Sequence, residues 1–227
     1  MPQIRILPDD LVNKIAAGEV VERPASVVKE LVENALDAEA RRVTIEVEAG
    51  GKRLVRVSDD GGGMSHDDAL LAFERHATSK LRTPEDLLAI ASLGFRGEAL
   101  PSIAAVSRVV LETRSREESA GPDSKARPWV GAGTRIEIHG GKIVSVKETG
   151  CAPGTQVEVR SLFYNVPARR KFLRSDATEL SHVSSLFTHY ALAHPERAFL
   201  LRPGSQIVFD LAPATRLRER AYQVLGR

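Results

Sequence analysis

Two sets of polar residues in this chain have the types and spacing that ligand binding and catalysis require. The first follows an apolar segment, residues 54–58, and reads Asp59-Asp60-Gly61-Gly62-Gly63-Met64. A carboxylate at the end of a strand can accept hydrogen bonds from an exocyclic amine such as that of adenine. Successive glycines are costly in conformational entropy, but they permit positive φ and a close approach of the backbone to a ligand. By itself, the segment predicts only a turn that could contact a ligand.

The second set lies at helical spacing. Glu30, Asn34 and Asp37 stand at i, i+4 and i+7 and share one narrow face beside a broad apolar face. Spacing alone favours the solvated edge of an amphipathic helix. If the face instead lines a pocket, Asn34 offers Mg²⁺ a neutral oxygen, and Glu30 can deprotonate a water that attacks a terminal phosphate. Asp37 could stabilise neighbouring groups or the contact of the helix with the loop. The nearby Asp59 segment favours the pocket.

Two further segments are suited to phosphate groups. A glycine-bracketed turn that leads into a helix can direct backbone N–H groups at phosphates, although it is equally typical of a tight loop–helix junction. Its residues are Leu93, Gly94, Phe95, Arg96, Gly97, Glu98, Ala99 and Leu100. No Walker A motif occurs in the chain. The second segment, residues 75–80, supplies the hydroxyls of Thr78 and Ser79 and the cation of Lys80, but alone it predicts a charged helix end.

The elements that must position these residues alternate irregularly between helix and strand, which predicts an α+β fold. Proline is tolerated in a first helical turn, so a helix is expected to begin at Pro24 and run to Ala40. The other predicted helices cover residues 66–76, 100–105, 177–193 and 215–225. The predicted strands cover residues 43–48, 54–58, 107–113, 134–139, 142–146 and 155–163, with a hairpin over 199–211.

Composition narrows the class of protein. The chain has 227 residues, enough for one full core, and a net charge of +2 that is too small to indicate nucleic acid by itself. One cysteine, Cys151, excludes an intrachain disulfide and a multi-cysteine metal site. No apolar run approaches the roughly 20 residues of a membrane helix, and no signal peptide is apparent. We therefore expect a cytoplasmic protein without a membrane partner.

The last residues predict a domain boundary. An amphipathic helix begins near Thr215, and the chain stops soon afterwards with nothing evident for that helix to pack on. Residues 1–211 are therefore expected to form one domain, and residues 212–227 the start of a truncated second domain.

In combination, the motifs resemble those of the GHKL ATPases, a superfamily that includes DNA gyrase B, a large heat-shock chaperone, histidine kinases and the MutL mismatch-repair proteins. Glu30-x-x-x-Asn34, Asp59-x-Gly61-x-Gly63 and the segment 94–100 occur in the order and spacing of that superfamily. The more specific resemblance is to the MutL family. It rests on residues 15–21 with Pro24, on residues 75–80 and on residues 162–169.

The resemblance implies a Bergerat-type sandwich, with helices layered on one face of a mixed, mostly antiparallel sheet, that binds ATP and Mg²⁺. Asp59 would bind the adenine amino group, Asn34 would hold Mg²⁺, and Glu30 would be the general base. Gly61 and Gly63 would allow the backbone to come close to the adenine ring. The remaining implied nucleotide contacts are Asp37, Met64, Thr78, Ser79, Lys80, Thr155 with its neighbour Gly154, and the lid segment 93–100.

The resemblance also implies binding partners, and the sequence differs from the family pattern at one loop position. The expected partners are the mismatch-recognition protein MutS, downstream repair factors, weakly bound non-specific DNA, and a second copy in a homodimer through ATP-bound N-terminal domains and a further C-terminal domain. The family's S5-like second domain supplies a lysine to the γ-phosphate; nearly all of it is absent here, so turnover is expected to be weak. Asp60 stands where many relatives carry Asn, which predicts a replaceable residue.

A basic cluster, Arg169, Arg170, Lys171 and Arg174, follows Pro167. It is either a solvated helix start or a contact for DNA phosphates.

Two other functions remain open at this point. A non-hydrolysing module would use ATP only to gate docking of a partner. A histidine kinase would share the ATP-binding fold but would need a phosphoacceptor-histidine helix, and none is apparent in the sequence.

Overall fold

The computed structural model describes residues 8–79, 97–116 and 132–226. The helices within these ranges are α1 (Asp9–Val20), α2 (Pro24–Asp37), α3 (His66–Leu71), α4 (Ala99–Ala105), α5 (Pro167–Phe172), α6 (Asp176–Ala193) and α7 (Leu217–Leu225). The strands are β1 (Arg42–Glu48), β2 (Leu54–Asp59), β3 (Arg108–Arg114), β4 (Gly133–His139), β5 (Lys142–Thr149), β6 (Gly154–Arg160), β7 (Ala198–Pro203) and β8 (Phe209–Leu211). A short 3₁₀ turn, Ala49–Gly51, joins β1 to β2.

The strands form one sheet in the order β5-β4-β3-β6-β2-β1-β7-β8. Every neighbouring pair is antiparallel except β1 and β7, which run parallel. This arrangement confirms the predicted α+β class with a mixed, mostly antiparallel sheet. It also places β2 beside β6 at the centre of the sheet, so that Asp59 pairs with Thr155.

The helices cover one face of the sheet because strands such as β1 and β3 alternate apolar and polar side chains. In β1, Val43, Ile45 and Val47 are buried in the core that the helices cover. Each such side chain contributes about 1.5–3 kcal/mol when it is fully buried. The intervening Glu46 lies on the opposite face, where Arg56 of β2 donates to it at 2.5 Å.

Helix α2 ends earlier than the predicted Ala40. Glu39 has a positive φ of 58°, which interrupts the helical backbone, and the N–H of Ala40 bonds to the carbonyl of Ala35. The predicted helix 66–76 is also too long, since α3 stops at Leu71 and turns follow it. Ser65 caps the start of α3 by accepting from the N–H of Asp68 at 3.1 Å.

Helix α7 has a surface to pack on, which corrects a premise of the sequence argument. It lies against α6 and β8, and its Arg220 is fully buried. The Nη2 atom of Arg220 donates to the carbonyl of Pro195 at 2.8 Å and to that of Arg197. The assignment of residues 212–227 to a second domain stays a prediction. Among the described residues, no helix combines the length and the apolarity needed to cross a membrane.

Candidate nucleotide site

Asp59 lies at the last position of β2, half-buried at the edge of a loop. Its Oδ1 atom accepts from the backbone N–H of Gly61 at 2.8 Å. Burial raises the pKa of this carboxyl group to about 6, while hydrogen bonds from the backbone N–H groups of Gly61 and Thr155 partly offset the rise and neighbouring Asp60 adds to it. The structure thus holds a desolvated carboxylate in a fixed orientation, which is the arrangement required to recognise a hydrogen-bond donor.

The glycine loop after Asp59 rests on the C-terminal end of α2. A Cβ atom at Gly61 would lie 2.7 Å from the carbonyl oxygen of Ala38 and 2.9 Å from Oδ1 of Asp59, so this position excludes a side chain. The next N–H, that of Gly62, donates to the same Ala38 oxygen at 2.9 Å. The loop and the end of the helix are therefore in direct backbone contact.

This contact places the C-terminal end of α2 next to the glycine loop. Glu30, Asn34 and Ala38 follow at i, i+4 and i+8, so they form one stripe of the helix. With a rise of about 1.5 Å per residue, Glu30 lies about 12 Å along the axis from the contact at Ala38. Asn34 lies between them and is half-buried, as is Asp37. Along the helix axis, these polar groups therefore lie at increasing distance from the contact at Ala38.

Glu30 and Glu33, two carboxylates of α2, have different environments. The side chain of Glu30 is 21% exposed, and its Oε1 atom lies 3.1 Å from the ammonium of Lys29. Glu33 is buried, and it accepts from Lys29 at 2.9 Å and from the hydroxyl of Tyr190 at 2.5 Å. Burial, followed by the bond to Glu33, raises the pKa of Tyr190. Glu33 thus joins α2 to α6, and Glu30 is the one that water can reach.

A residue that the sequence argument missed, Thr113, connects three parts of the loop region. Its buried hydroxyl donates to the carbonyl of Gly154 at 3.0 Å and accepts from the N–H of Met64 at 3.0 Å. It also lies 3.0 Å from the hydroxyl of Thr155. Because its only proton goes to Gly154, Thr155 is the donor in that pair. The sequence did contain one indication of this role: Thr113 is a polar residue at an alternate position of β3, on the same buried face as Val109 and Leu111.

Gly63 needs its left-handed backbone. Its φ is 68°, and a Cβ there would lie 2.0 Å from the carbonyl oxygen of Arg114. Any side chain at this position would push the loop away from the end of β3, and with it the N–H of Met64 that Thr113 holds.

Asp60, which the sequence predicts to be a replaceable loop residue, has specific contacts in the structure. Its Oδ1 atom accepts from the backbone N–H groups of both Arg41 and Arg42 at 2.8 Å. The carbonyl oxygen of Asp60 accepts from the guanidinium of Arg116. The backbone N–H of Arg116 donates to the carbonyl of Gly62 at 2.9 Å. Asp60 therefore fixes the start of β1 to the loop, a role that an asparagine oxygen can also fill.

Two segments that the sequence argument assigned to the lid meet in the structure. The imidazole Nδ1 of His76 lies 2.8 Å from Oε1 of Glu98. A Cβ at Gly97 would lie 2.4 Å from the carbonyl oxygen of Ala77. The segment with Thr78 and Ser79 is therefore adjacent to the start of α4, which contains Ala99 and Leu100. The predicted residues Lys80, Leu93, Gly94, Phe95 and Arg96 lie outside the described residues.

The basic cluster separates into two kinds of side chain. The guanidinium of Arg169 lies over Gly18 of α1, where a Cβ would come within 1.3 Å of Nη2, so Arg169 packs on the body of the protein. Arg170, Lys171 and Arg174 are exposed.

A dedicated metal cage is not part of this site. The described residues contain no group of three or more His, Cys, Asp or Glu side chains that could hold a metal ion. The neutral oxygen of Asn34 fits Mg²⁺ only if phosphate oxygens and waters supply most of the other ligands. A magnesium ion held here would therefore need a bound nucleotide to complete its set of ligands.

The chain is similar to known proteins along its whole length. The family model "Histidine kinase-, DNA gyrase B-, and HSP90-like ATPase" matches residues 22–123. The chain is 62% identical over 226 residues to a DNA mismatch repair protein MutL of Solibacter usitatus (strain Ellin6076), covering 100% of this chain and 32% of the relative. A MutL protein of Acidobacterium capsulatum is 56% identical, with the same coverage of 100% and 32%.

A solved structure described as the Aquifex aeolicus MutL ATPase domain complexed with ADP is 36% identical to this chain. The two structures superpose with a TM-score of 0.69, and the match covers 91% of this chain and 70% of the Aquifex aeolicus chain. The chain spans about a third of the length of the curated relatives that it matches, 32% in the first two. The resemblance to MutL and to the GHKL ATPase fold is thereby confirmed.

Proposed function

This chain belongs to the MutL family of DNA mismatch repair proteins, whose ATPase domain it forms, and we propose that it binds ATP with Mg²⁺ and hydrolyses it slowly. The observation that carries this proposal is the half-buried carboxylate of Asp59, oriented by two backbone N–H groups beside a loop that excludes side chains at Gly61. An ionised carboxylate there accepts a hydrogen bond from the exocyclic amine of adenine.

The stripe of α2 supports the assignment of the phosphate side. A nucleotide with its base at Asp59 extends toward Asn34 and then Glu30, which lies about 12 Å from the loop contact. Asn34 would contribute a neutral oxygen to Mg²⁺, and the ion would supply positive charge that neutralises the phosphates.

Glu30 is the general base of this proposal. Its carboxylate accepts the proton of a water while the water oxygen attacks the γ-phosphorus, and the bond to the β–γ bridging oxygen breaks, giving ADP and phosphate. Lys29, at 3.1 Å from Glu30, holds the carboxylate in place.

The second part of the proposal concerns the lid and the rest of the MutL protein. Helix α1 packs on α4, and the start of α4 adjoins the lid segment around Gly97. Nucleotide-dependent closure of the lid would therefore change the support of α1. We propose that this coupling gates dimerisation of the ATP-bound domains and signalling to MutS and downstream repair factors. We also propose weak DNA contact through the exposed cations of the basic cluster.

Substitution of the general base tests the enzymatic proposal. Glu30→Ala should lower ATP turnover by about 100-fold while ATP affinity remains, because the base acts only on the attacking water. Glu33→Gln is the matched control on the same helix. It should lower stability through the weakened bonds to Lys29 and Tyr190 and reduce turnover per folded molecule far less than Glu30→Ala does, because Lys29 keeps its bond to Glu30.

The remaining alternatives give different results. Phosphate release that is equal in wild type and Glu30→Ala, above a blank without protein, would favour a module that only binds ATP. Transfer of phosphate to a histidine of the chain would favour a kinase.

Slow turnover has its own test, because the resemblance implies a lysine from a second domain at the γ-phosphate. A chain extended through that domain should hydrolyse ATP faster than this one, and equal rates would contradict the proposed weakness.

A further inference from the structure

Phe172 is the most exposed large apolar side chain among the described residues. It is the last residue of α5, and 83% of its surface is accessible. An aromatic ring left in water contributes nothing to the core, and its burial against a partner would be favourable. The ring is therefore accessible to a binding partner.

The surroundings of Phe172 are strongly cationic. Arg170 and Lys171 precede it, Arg174 follows two residues later, and all three are exposed. The nearest acidic residue along the chain, Asp176, forms an ion pair with Lys52. These three cations and Phe172 are called here the aromatic–basic patch. It combines a flat apolar surface with excess positive charge, so an anionic partner with exposed aromatic faces fits it better than an apolar peptide.

The patch is held rigidly by the segments on both sides. Before α5, the N–H of Phe163 donates to the carbonyl of Val106 at 2.7 Å, and the side-chain amide of Asn165 donates to the carbonyl of Ala105 at 2.9 Å. Arg169 packs over Gly18 of α1. After α5, the N–H of Arg174 donates to the buried Glu179 at 2.8 Å. A backbone fixed in this way loses little conformational entropy when a partner binds.

We propose that Phe172 is a base-stacking residue for single-stranded DNA, with Arg170, Lys171 and Arg174 contacting the flanking phosphates. This inference rests on the DNA contact in the proposed function and adds the residue that distinguishes single strands from duplex. Every unpaired base offers a π-face to an aromatic ring regardless of sequence, whereas duplex bases are stacked on one another. The cations supply the salt-dependent part of the affinity.

Fluorescence anisotropy with labelled oligo(dT), an abasic strand of equal length and a duplex of equal length tests the inference. Phe172→Ala should weaken binding to oligo(dT) by about tenfold, as expected for loss of one stacked base. The same substitution should leave binding to the abasic strand unchanged, because that strand has phosphates and no bases. Arg170→Ala should weaken binding to all three and reduce the salt slope on single strands by about 0.7.

Two further variants separate stacking from simple apolar contact. Phe172→Trp should retain the affinity for oligo(dT), and its indole fluorescence should be quenched on binding. Phe172→Leu should bind as weakly as Phe172→Ala. Tyr222→Ala is the control, because Tyr222 is an exposed aromatic beside an arginine, Arg218, outside the patch. Thermal unfolding should be unchanged for the Phe172 variants, since the ring is exposed.

The contrary outcomes are distinct. If the wild-type chain binds none of the three nucleic acids, the DNA contact in the proposed function fails and the stacking role fails with it, while the ATPase proposal stands. If the wild type binds oligo(dT) and Phe172→Ala binds equally well, only the stacking role is overturned. Equal affinity of Phe172→Leu and wild type would overturn it in favour of an apolar docking contact.

Discussion

The hydroxyl groups of Thr113 and Thr155 lie 3.0 Å apart across the pairing of β3 with β6, at the end of the sheet where Asp59 is found. Thr113 donates to Gly154 and accepts from the N–H of Met64 as well, so a single buried hydroxyl joins β3, β6 and the glycine loop. The position of the loop that carries Gly61 and Gly63 thus depends on a residue 49 positions further along the chain than Met64.

Replacement of Thr113 by valine removes the hydroxyl at almost constant volume. We expect Thr113→Val to lower the free energy of unfolding by about 1–3 kcal/mol, because the N–H of Met64 is then left without its acceptor. ATP affinity should fall as the loop loses its anchor. Thr113→Ser keeps the hydroxyl and should lose only about 1 kcal/mol with near-normal affinity. Urea unfolding and nucleotide titration measure both quantities; equal effects of valine and serine would contradict the hydroxyl's role.

Two adjacent glycines should respond differently to alanine. A methyl group at Gly61 meets Ala38 and Asp59 at 2.7 and 2.9 Å, whereas at Gly62 the nearest atom lies at 3.9 Å. Gly61→Ala should therefore displace the loop from α2, at about 1–3 kcal/mol, and weaken ATP binding strongly. Gly62→Ala should bind ATP like the wild type. Calorimetric titration of both variants is the measurement, and a tolerated methyl at Gly61 would refute the proposed close packing.

Asp60 should tolerate asparagine but not alanine. Both N–H donors, from Arg41 and Arg42, reach the same Oδ1 atom, and an asparagine side chain offers that oxygen too. Asp60→Ala should lower stability by about 1–3 kcal/mol, since two backbone donors lose their acceptor. Asp60→Asn should change stability by less than half of that amount. Chemical denaturation compares the two, and a stable alanine variant would show that water replaces the carboxylate.

Asp59→Asn should weaken ATP binding far more than Asp60→Asn. One oxygen of Asp59 already accepts from Gly61, so the amide nitrogen of an asparagine would take the place of the oxygen that the adenine amine needs. At position 60, one oxygen accepts from both Arg41 and Arg42, and an asparagine keeps that oxygen. In the wild type, ATP affinity should fall as pH decreases through about 6, where the Asp59 carboxyl gains its proton. If both asparagine variants bind ATP normally, the assignment of Asp59 to the adenine is wrong.

The same substitution should stabilise the nucleotide-free protein near neutral pH. The pKa of Asp59 is raised to about 6 in the folded state, so the folded state holds this proton more tightly than the unfolded state does. The contribution of Asp59 to stability therefore decreases as pH rises from about 4 to about 6 and is least favourable above that window. Asp59→Asn removes the desolvated charge and should add about 1–3 kcal/mol near neutral pH. Unfolding curves across this pH range should show the gain disappearing toward about pH 4; a gain independent of pH would contradict the linkage.

Much of the candidate site could be predicted from the sequence because its signals are local. Helical spacing places Glu30, Asn34 and Asp37 on one face, and a strand that ends in Asp59 before three glycines predicts a ligand-contacting loop. The family resemblance, which the comparisons confirmed, added an expected role for each motif. The roles assigned to the individual residues stay predictions.

The remainder depended on contacts between distant segments. Thr113 gave no motif, because its function comes from the pairing of β3 with β6. The different roles of Glu30 and Glu33 depend on where α6 places Tyr190. Arg169 and Arg170 are identical neighbours in the sequence, and only the packing of Arg169 on Gly18 distinguishes them.

The sequence by itself therefore determined the α+β class, the helix with Glu30 and Asn34, and the loop after Asp59, since periodicity and backbone preferences act over a few residues. The tertiary structure decided which polar groups are buried, which are paired and which face water. Asp60 shows the difference. Its sequence position suggested a replaceable loop residue, but its two hydrogen bonds reach the start of β1, 18 and 19 positions earlier in the chain. Hydrogen bonds of that kind are set by the fold as a whole and leave no local pattern to read.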